Sequence, residues 1–241
     1  MECDYKKIGA AAIVAGGLVL GGFFPGWYYY QAKINNNTVV VKGLAEMNVK
    51  ADLAVWQIKF TVTNDDLTSA QRTITAQAEK VKRFLTEKGF SEAEINIKRI
   101  ETNDLMANPY RGNDAASSRF ILSQTITVKS ANVDLVEKTL PETNSLIAAG
   151  IVFENSYGEP VSYIFTRLNE IKPKMLEEAT QNAKEAAAEF AKNSGSRVGK
   201  IKYANQGVFS ILPAEEIADS NEAQQINKKV RVVSTVEYRL D

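Results

Sequence analysis

The stretch Trp56-Gln-Ile-Lys-Phe-Thr-Val62 alternates apolar and polar side chains without interruption. Successive side chains of a β-strand point to opposite faces, so this two-residue period predicts a strand with one buried side and one side in water. Trp56 lies on the apolar side of the pattern. We therefore expect Trp56 in the hydrophobic core rather than in a binding site.

A helical pattern follows this strand directly. Asp65 and Asp66 are of a residue type that caps helix N-termini. Apolar side chains then recur at three- and four-residue spacing from Leu67 to Leu85, which predicts an amphipathic helix. Gly89 stands where a helix end favours a residue in the left-handed conformation, so we expect the helix to end there.

The rest of the chain repeats these two patterns. Alternation typical of strands recurs at 39–43, 95–97, 120–128, 151–165, 198–209 and 230–240. A long second helix is predicted from about 166 to 193, with Gly195 closing it. Its expected packing face consists of Ala179, Ala183, Ala186, Ala187 and Phe190.

The order strand–helix–strand–strand therefore occurs twice, at about 53–131 and at about 152–240. We interpret this order as a loose internal duplication, although the residues of the two halves differ. The predicted fold class is α+β: duplicated strand–helix–strand–strand units form antiparallel sheet packed by long helices, preceded by an N-terminal transmembrane helix. Residues 38–241 are expected to form one domain, because no glycine-rich linker separates the halves.

The N-terminal segment has the pattern of a membrane anchor. Lys6 and Lys7 precede an uncharged run over 8–24, and an aromatic cluster follows it. As a helix the run and the cluster would span about 30 Å, the thickness of a bilayer core. We predict an uncleaved anchor over 1–30 and a linker over 31–37. The side chains expected to contact lipid are Ile8, Leu18, Phe24, Trp27 and Tyr28.

Two other interpretations of this segment remain open. A cleaved signal peptide would end in a small-x-small site, whereas bulky aromatic residues end this run. A buried helix of a soluble protein is disfavoured by the many glycines of the segment. Gly17 and Gly21 have the spacing that lets membrane helices pack closely, although glycine is in any case common in such helices.

Lysines on the N-terminal side of the run predict an orientation. Positive residues tend to stay on the cytoplasmic side, so the N-terminus is expected in the cytoplasm and the C-terminal domain in the periplasm. The predicted location is the bacterial inner membrane, crossed once. Lys33, soon after the run, weakens this charge bias.

Composition excludes several classes of function. The chain has 241 residues, with 29 basic and 29 acidic side chains, one cysteine and no histidine. A neutral charge balance argues against a nucleic-acid partner. The absence of histidine removes the commonest general base and zinc ligand, and neither a phosphate-binding loop nor a dinucleotide fingerprint is present. We therefore predict no catalytic residue, no cofactor and no metal.

Two loops and one strand end carry the remaining candidate residues. Glu101 and Asp104 are the carboxylates that a histidine-free hydrolase would need as acid and base. A second acidic group, at Glu215, Glu216 and Asp219, is best explained as a solvated loop. Tyr110 and Arg111 are candidates for a subunit-interface loop, for which a plain surface loop is the alternative.

Several stretches resemble one known family. They are Val39-Val-Val-Lys-Gly-Leu-Ala45, Lys50-Ala-Asp-Leu-Ala54, Phe84-Leu-Thr-Glu-Lys-Gly-Phe90 and Phe190-Ala-Lys-Asn-Ser-Gly195. Together they resemble SIMPL-domain proteins, among them periplasmic immunogenic and oxidative-stress-defence proteins, over about 38–241. The resemblance implies a stress-linked envelope protein that assembles into homo-oligomeric rings or channel-like barrels, with no catalytic residues to carry over. At 43–45 only the first glycine of the family's Gly-x-Gly is kept.

These observations lead to two hypotheses of different class. In the first, a membrane-anchored envelope protein associates with copies of itself into a ring or cage, the open edge of the strand over 38–42 pairing between subunits. In the second, an anchored monomer or dimer binds a partner protein or an unknown small molecule in the periplasm.

Overall fold

The computed structural model describes residues 5–34, 37–107, 118–154, 161–215 and 221–241. The helices are α1 (Tyr5–Ile34), α2 (Leu67–Glu87), α3 (Val133–Thr139), α4 (Asn144–Ala148) and α5 (Leu168–Asn193). The strands are β1 (Thr38–Lys50), β2 (Leu53–Asn64), β3 (Ile95–Ile97), β4 (Glu101–Asp104), β5 (Phe120–Ser130), β6 (Val152–Phe153), β7 (Val161–Ile164), β8 (Val198–Gln206), β9 (Ser210–Pro213) and β10 (Asn227–Leu240). The predicted α+β class with antiparallel sheet is confirmed.

The larger sheet is built around β2, which contains the alternating stretch from Trp56 to Val62. Its order is β3-β5-β2-β6, with β4 also pairing with β5 and β7 with β2. The pairing of β2 with β5 runs unbroken from Ala54 opposite Ser130 to Asn64 opposite Phe120. This sheet places the outward side chains of β2 and β5 next to one another, which positions the polar groups described below.

The core under this sheet confirms the predicted strand and helix. Trp56 is buried on the inner face of β2, and its ring lies 6.3 Å from that of Phe90. Asp66 caps α2, since its Oδ1 accepts a hydrogen bond from the amide of Ser69 at 2.7 Å. Gly89 has a positive φ of 101° just beyond the helix, the conformation that glycine adopts without strain.

The smaller sheet has the order β1-β10-β8, and β9 pairs with β10. One side of α5 packs on it, with Ala183 and Ala187 against Val41, Val236 and Tyr238. The buried positions of α5 recur every four residues, at Met175, Ala179, Ala183, Ala187 and Ala191. The predicted packing face was therefore right for its alanines at 179, 183 and 187, right for Ala186, which is partly buried against the same cluster, and wrong for Phe190, which is exposed.

The predicted duplication is not seen in this arrangement. In the second half of the chain β6 and β7 pair with β2, whereas β8 and β10 form the other sheet with β1. The strands before and after α5 thus belong to different sheets, and the second half does not repeat the first. The chain divides into two compact units: one of 1–45, 174–209 and 232–241, the other of 46–173 and 210–231.

Helix α1 exposes every side chain from 13 to 31. Among the residues that the structure describes, no helix is both long and apolar enough to cross a membrane. The predicted transmembrane helix is therefore not found within this described part of the chain. Of the predicted lipid-contacting residues Leu18, Phe24, Trp27 and Tyr28 are exposed, and the side chain of Ile8 lies outside the described part. Within the described residues, a Cβ at Gly17 or Gly21 would meet nothing within 4 Å beyond the adjoining helix backbone.

Asp52, in the turn between β1 and β2, fixes the start of α5. Its Oδ1 accepts from the amide of Thr166 at 2.8 Å, and its Oδ2 accepts from the amide and the Nε of Arg167 at 3.2 and 3.1 Å. Burial raises the pKa of this carboxyl, but the hydrogen bonds from Thr166 and Arg167 outweigh burial and hold the pKa below its usual range.

This lowered pKa predicts acid sensitivity. Because the folded-state pKa lies below the unfolded one, the stabilisation by Asp52 is complete above about pH 4 and is lost as the pH falls through the lowered pKa. We expect Asp52→Asn to cost about 1.5–3 kcal/mol at neutral pH. Urea unfolding of both proteins between about pH 6 and pH 2.5 should show the gap closing at low pH; a gap that stays constant would contradict this assignment.

Candidate functional surfaces

The smaller sheet presents two open edges. In its order β1-β10-β8, β10 is the central strand, so β1 and β8 are the outer strands, and among the described residues neither pairs with a further strand. Every residue of β8 from Lys200 to Gln206 is exposed. An exposed edge strand offers unpaired amide and carbonyl groups to another chain.

One face of this sheet carries apolar side chains in water. Val40 and Leu44 project from β1 on the side away from the buried Val41. Tyr203 of β8 stands opposite Glu237 of β10. The carboxylate of Glu237 accepts a hydrogen bond from Thr38, which lies on the same side of β1 as Val40. Tyr203, Glu237 and Thr38 therefore share one face of the sheet with Val40 and Leu44. The side chains of Val40 and Tyr203 are more than half exposed. Nearby in the chain Val208 is exposed to 85%.

The charges on this face are organised by Glu237. Its carboxylate accepts from Thr38 and lies 3.1 Å from Nζ of Lys202. Hydrogen bonds from Thr38 and Lys202 lower the pKa of Glu237, so the carboxylate stays ionised at neutral pH. The face therefore combines apolar side chains with a satisfied ion pair, a composition common at protein interfaces.

The predicted carboxylate pair is not arranged as an acid and a base. Glu101 and Asp104 lie three residues apart on β4, and residues at odd spacing in a strand point to opposite faces. Asp104 forms an ion pair with Arg119 at 3.0 Å, and this hydrogen bonding lowers the pKa of Asp104. A general acid needs the opposite shift, toward neutral pH.

A polar cluster on the outer face of the larger sheet was not predicted. Nζ of Lys59 lies 2.9 Å from Oε1 of Glu154, and Oγ of Ser123 donates to Oε2 of the same carboxylate at 3.2 Å. Ser123 also contacts Oγ1 of Thr61, which donates to the carbonyl of Leu122. Hydrogen bonding to Glu154 raises the pKa of Lys59, so its ammonium stays protonated and cannot act as a base.

Sequence reasoning had one signal for this cluster. Lys59 and Thr61 occupy outward positions of β2, but the register that brings Ser123 opposite Thr61 is a long-range pairing. Chemically, the cluster presents an ammonium, a carboxylate and two hydroxyls to water. Such groups can orient a polar ligand.

The other predicted sites are placed as follows. Tyr110, Arg111, Glu216 and Asp219 lie outside the described residues. Glu215 is exposed; its amide donates to Oε1 of Gln225 at 3.3 Å, and its carbonyl accepts from Nε2 of the same side chain at 2.9 Å. Within the described ranges no three histidine, cysteine or carboxylate side chains are grouped so that they could hold a metal ion.

A comparison with known protein families identifies this chain's family. No curated protein matches the chain. The SIMPL family, described as a protein of unknown function (DUF541), matches residues 39–238, which include both sheets and all helices except α1. A match over so much of the chain establishes membership, as the resemblance of the strand and helix motifs suggested. The chain belongs to the SIMPL family.

Proposed function

We propose that this SIMPL-family chain is a membrane-attached envelope protein that assembles with copies of itself into a closed ring or cage. The observation that carries the proposal is the presence of two different open edges, β1 and β8, on the same sheet. Pairing β1 of one copy with β8 of the next is a head-to-tail contact, and such contacts generate rings when the rotation between copies closes.

The exposed apolar side chains support the same proposal. Burying Val40, Leu44 and Tyr203 against a neighbouring copy would remove apolar surface from water, which is worth about 25 cal/mol per Å². Backbone hydrogen bonds along the two edges would add direction and register. A ring also brings many α1 helices together, so weak contacts between single helices would add up.

Membrane attachment is proposed through α1. An exposed helix with apolar side chains all around is unfavourable in water and stable in lipid or against protein. The rings of Phe23 and Trp27 stack with centroids 5.9 Å apart, and Trp27 begins an aromatic cluster of the kind that favours membrane interfaces. The lysines at 6 and 7 support an inner-membrane location with the domain in the periplasm and the N-terminus in the cytoplasm.

The particle mass of the full chain in mild detergent tests the assembly. We expect a large discrete particle for the unaltered chain and a clear loss of mass for Val40→Lys, because a lysine on an edge strand opposes pairing with another chain. Val152→Lys is the matched control: Val152 is exposed to 60% and Val40 to 61%, but Val152 lies on the other sheet. Light scattering after size exclusion measures all three.

The outcomes separate the hypotheses. An equal loss of mass for both variants would remove the special role of the β1 edge. A large particle that disappears in a 31–241 fragment would move the contact to the glycine-rich α1. Small particles throughout would overturn the ring and favour the anchored binding module, for which the cluster of Lys59, Ser123 and Glu154 supplies polar groups.

A further inference from the structure

One end of the smaller sheet collects three chain segments. The amide of Leu240, at the end of β10, donates to the carbonyl of Asn37, just before β1, at 2.9 Å. Asp241 and Arg197 exchange two backbone hydrogen bonds of 2.9 and 3.0 Å where β8 begins. The start of β1, the end of β10 and the start of β8 therefore lie side by side.

This sheet end is also the part of the fold closest in sequence to α1. Helix α1 ends at Ile34 and β1 starts at Thr38. The four residue-to-residue steps from Ile34 to Thr38 span at most about 14 Å when fully extended. Whatever surface holds α1, this end of the sheet stays within that distance of the last turn of the helix.

The exposed charges at this end are mostly positive. Four exposed basic side chains, here called the basic end, are Lys192, Arg197, Lys200 and Arg239. The carboxylates close to them in the chain are Asp241, which lies against Gly199, Glu189, one turn before the end of α5, and Glu237, which is paired with Lys202. The basic end thus has an excess of positive charge in a chain with no net charge.

We propose that the basic end binds anionic lipid headgroups at the membrane that holds α1. A cluster of lysine and arginine side chains close to a membrane-attached helix is attracted by acidic lipids, and the attraction fades within a Debye length of the surface. Arginine adds paired N–H donors that match the oxygens of a phosphodiester. The inference rests on the membrane attachment proposed above and adds the lipid class and the residues that recognise it.

Quenching by headgroup-labelled lipid tests the proposal in the full chain. Cys3 is replaced by serine, and a fluorophore is attached either at Asn193→Cys, beside the basic end, or at Gln206→Cys. Gln206 is exposed and ends the same strand β8, roughly 26 Å from Val198 at the strand rise of about 3.3 Å. The two positions therefore report the two ends of one strand.

The vesicles are phosphatidylcholine alone or phosphatidylcholine with one-third phosphatidylglycerol. In the anionic vesicles we expect stronger quenching at position 193 than at position 206. At 193, quenching should fall at least twofold in neutral vesicles, in high salt and in a triple variant that removes three charges of the basic end. That variant is Arg197→Gln, Lys200→Gln and Arg239→Gln. A control variant removes equal charge from the other unit, at Lys80, Lys98 and Arg99, and should quench like the unaltered chain.

Each result decides one of the two proposals. Equal quenching in neutral and anionic vesicles, or an unchanged triple variant, would overturn headgroup binding while leaving attachment by α1 intact. Failure of the full chain to sediment with either kind of vesicle would overturn the attachment itself, and the lipid assignment with it. Circular dichroism and thermal melting of the variants confirm that the exposed substitutions leave the fold unchanged.

Discussion

Replacing Gly43 by alanine is expected to lower the free energy of unfolding by about 3 kcal/mol, the upper end of what overpacking a core costs. Gly43 lies in β1 where α5 crosses it. A Cβ at this position would overlap the carbonyl oxygen of Ala179 and lie 2.6 Å from the amide nitrogen of Ala183. Both atoms are backbone, so a rotamer change cannot relieve the overlap.

A side-chain hydrogen bond also holds α5 close to β1. Nδ2 of Asn182 donates to the carbonyl of Leu44 at 2.7 Å, which fixes the helix against the strand next to Gly43. Relief of the clash must therefore move α5 as a body or break this bond. For a chain of this size about 3 kcal/mol corresponds to a fall in Tm of roughly 6–12 °C.

Calorimetry of the full chain in mild detergent measures this shift. Gly16→Ala provides the control, because among the described residues a Cβ at that position meets no atom within 4 Å apart from its chain neighbours and the adjoining helix backbone. It makes the same chemical change in an exposed helix and should leave Tm unchanged or slightly raised. A Gly43→Ala protein that melts within about 2 °C of the unaltered chain would show that α5 and β1 are not packed this closely.

Replacing Glu222 by alanine is expected to cost about 3–5 kcal/mol, because it leaves a buried ammonium without its counter-charge. The side chain of Lys228 is fully buried at the start of β10. Its Nζ donates to the carbonyl oxygen of Glu222 at 2.6 Å and also contacts the carboxylate of that residue. Glu222 opens a short 3₁₀ turn over 222–224, so this lysine secures the turn to the strand.

The reciprocal change should be far milder. Lys228→Met removes the buried charge and keeps an unbranched apolar chain of similar length, while Glu222, exposed to 32%, can turn its carboxylate to water. We expect a cost below about 1.5 kcal/mol, and we expect the double variant to recover most of the loss caused by Glu222→Ala. Urea unfolding measures these free energies. If Glu222→Ala and Lys228→Met lowered the free energy of unfolding equally, the burial of the lysine ammonium would not explain the expected difference between them.

Local sequence patterns correctly predicted the elements that are determined by residues close together in the chain. The alternation from Trp56 to Val62 and the cap at Asp66 depend on neighbours within a few residues, and both were right. The partners of each strand depend on long-range pairing instead. Nothing in the residues of β10 indicates that it lies between β1 and β8, so the sequence order suggested a duplication that the sheets do not have.

The same distinction applies to the candidate surfaces. The open edge of the strand over 38–42 was predicted, and β1, which continues this strand to Lys50, is an outer strand among the described residues. The cluster of Lys59, Ser123 and Glu154 was not, since it joins residues from three distant segments. Phe190 was misplaced because its helical position lies next to the buried alanines of α5 rather than among them.

The central place of β10 sets an order of events during synthesis. β1 leaves the ribosome early, yet its neighbour in the sheet begins only at Asn227, after nearly all other elements have emerged. The hydrogen-bonding groups of β1 and β8 therefore have no native partner until the last stretch is made. Such long sequence separation slows folding and prolongs exposure of strand edges to wrong partners. In the proposed ring, a copy would offer its two outer edges to a neighbour in their native form only after its own β10 has inserted between β1 and β8.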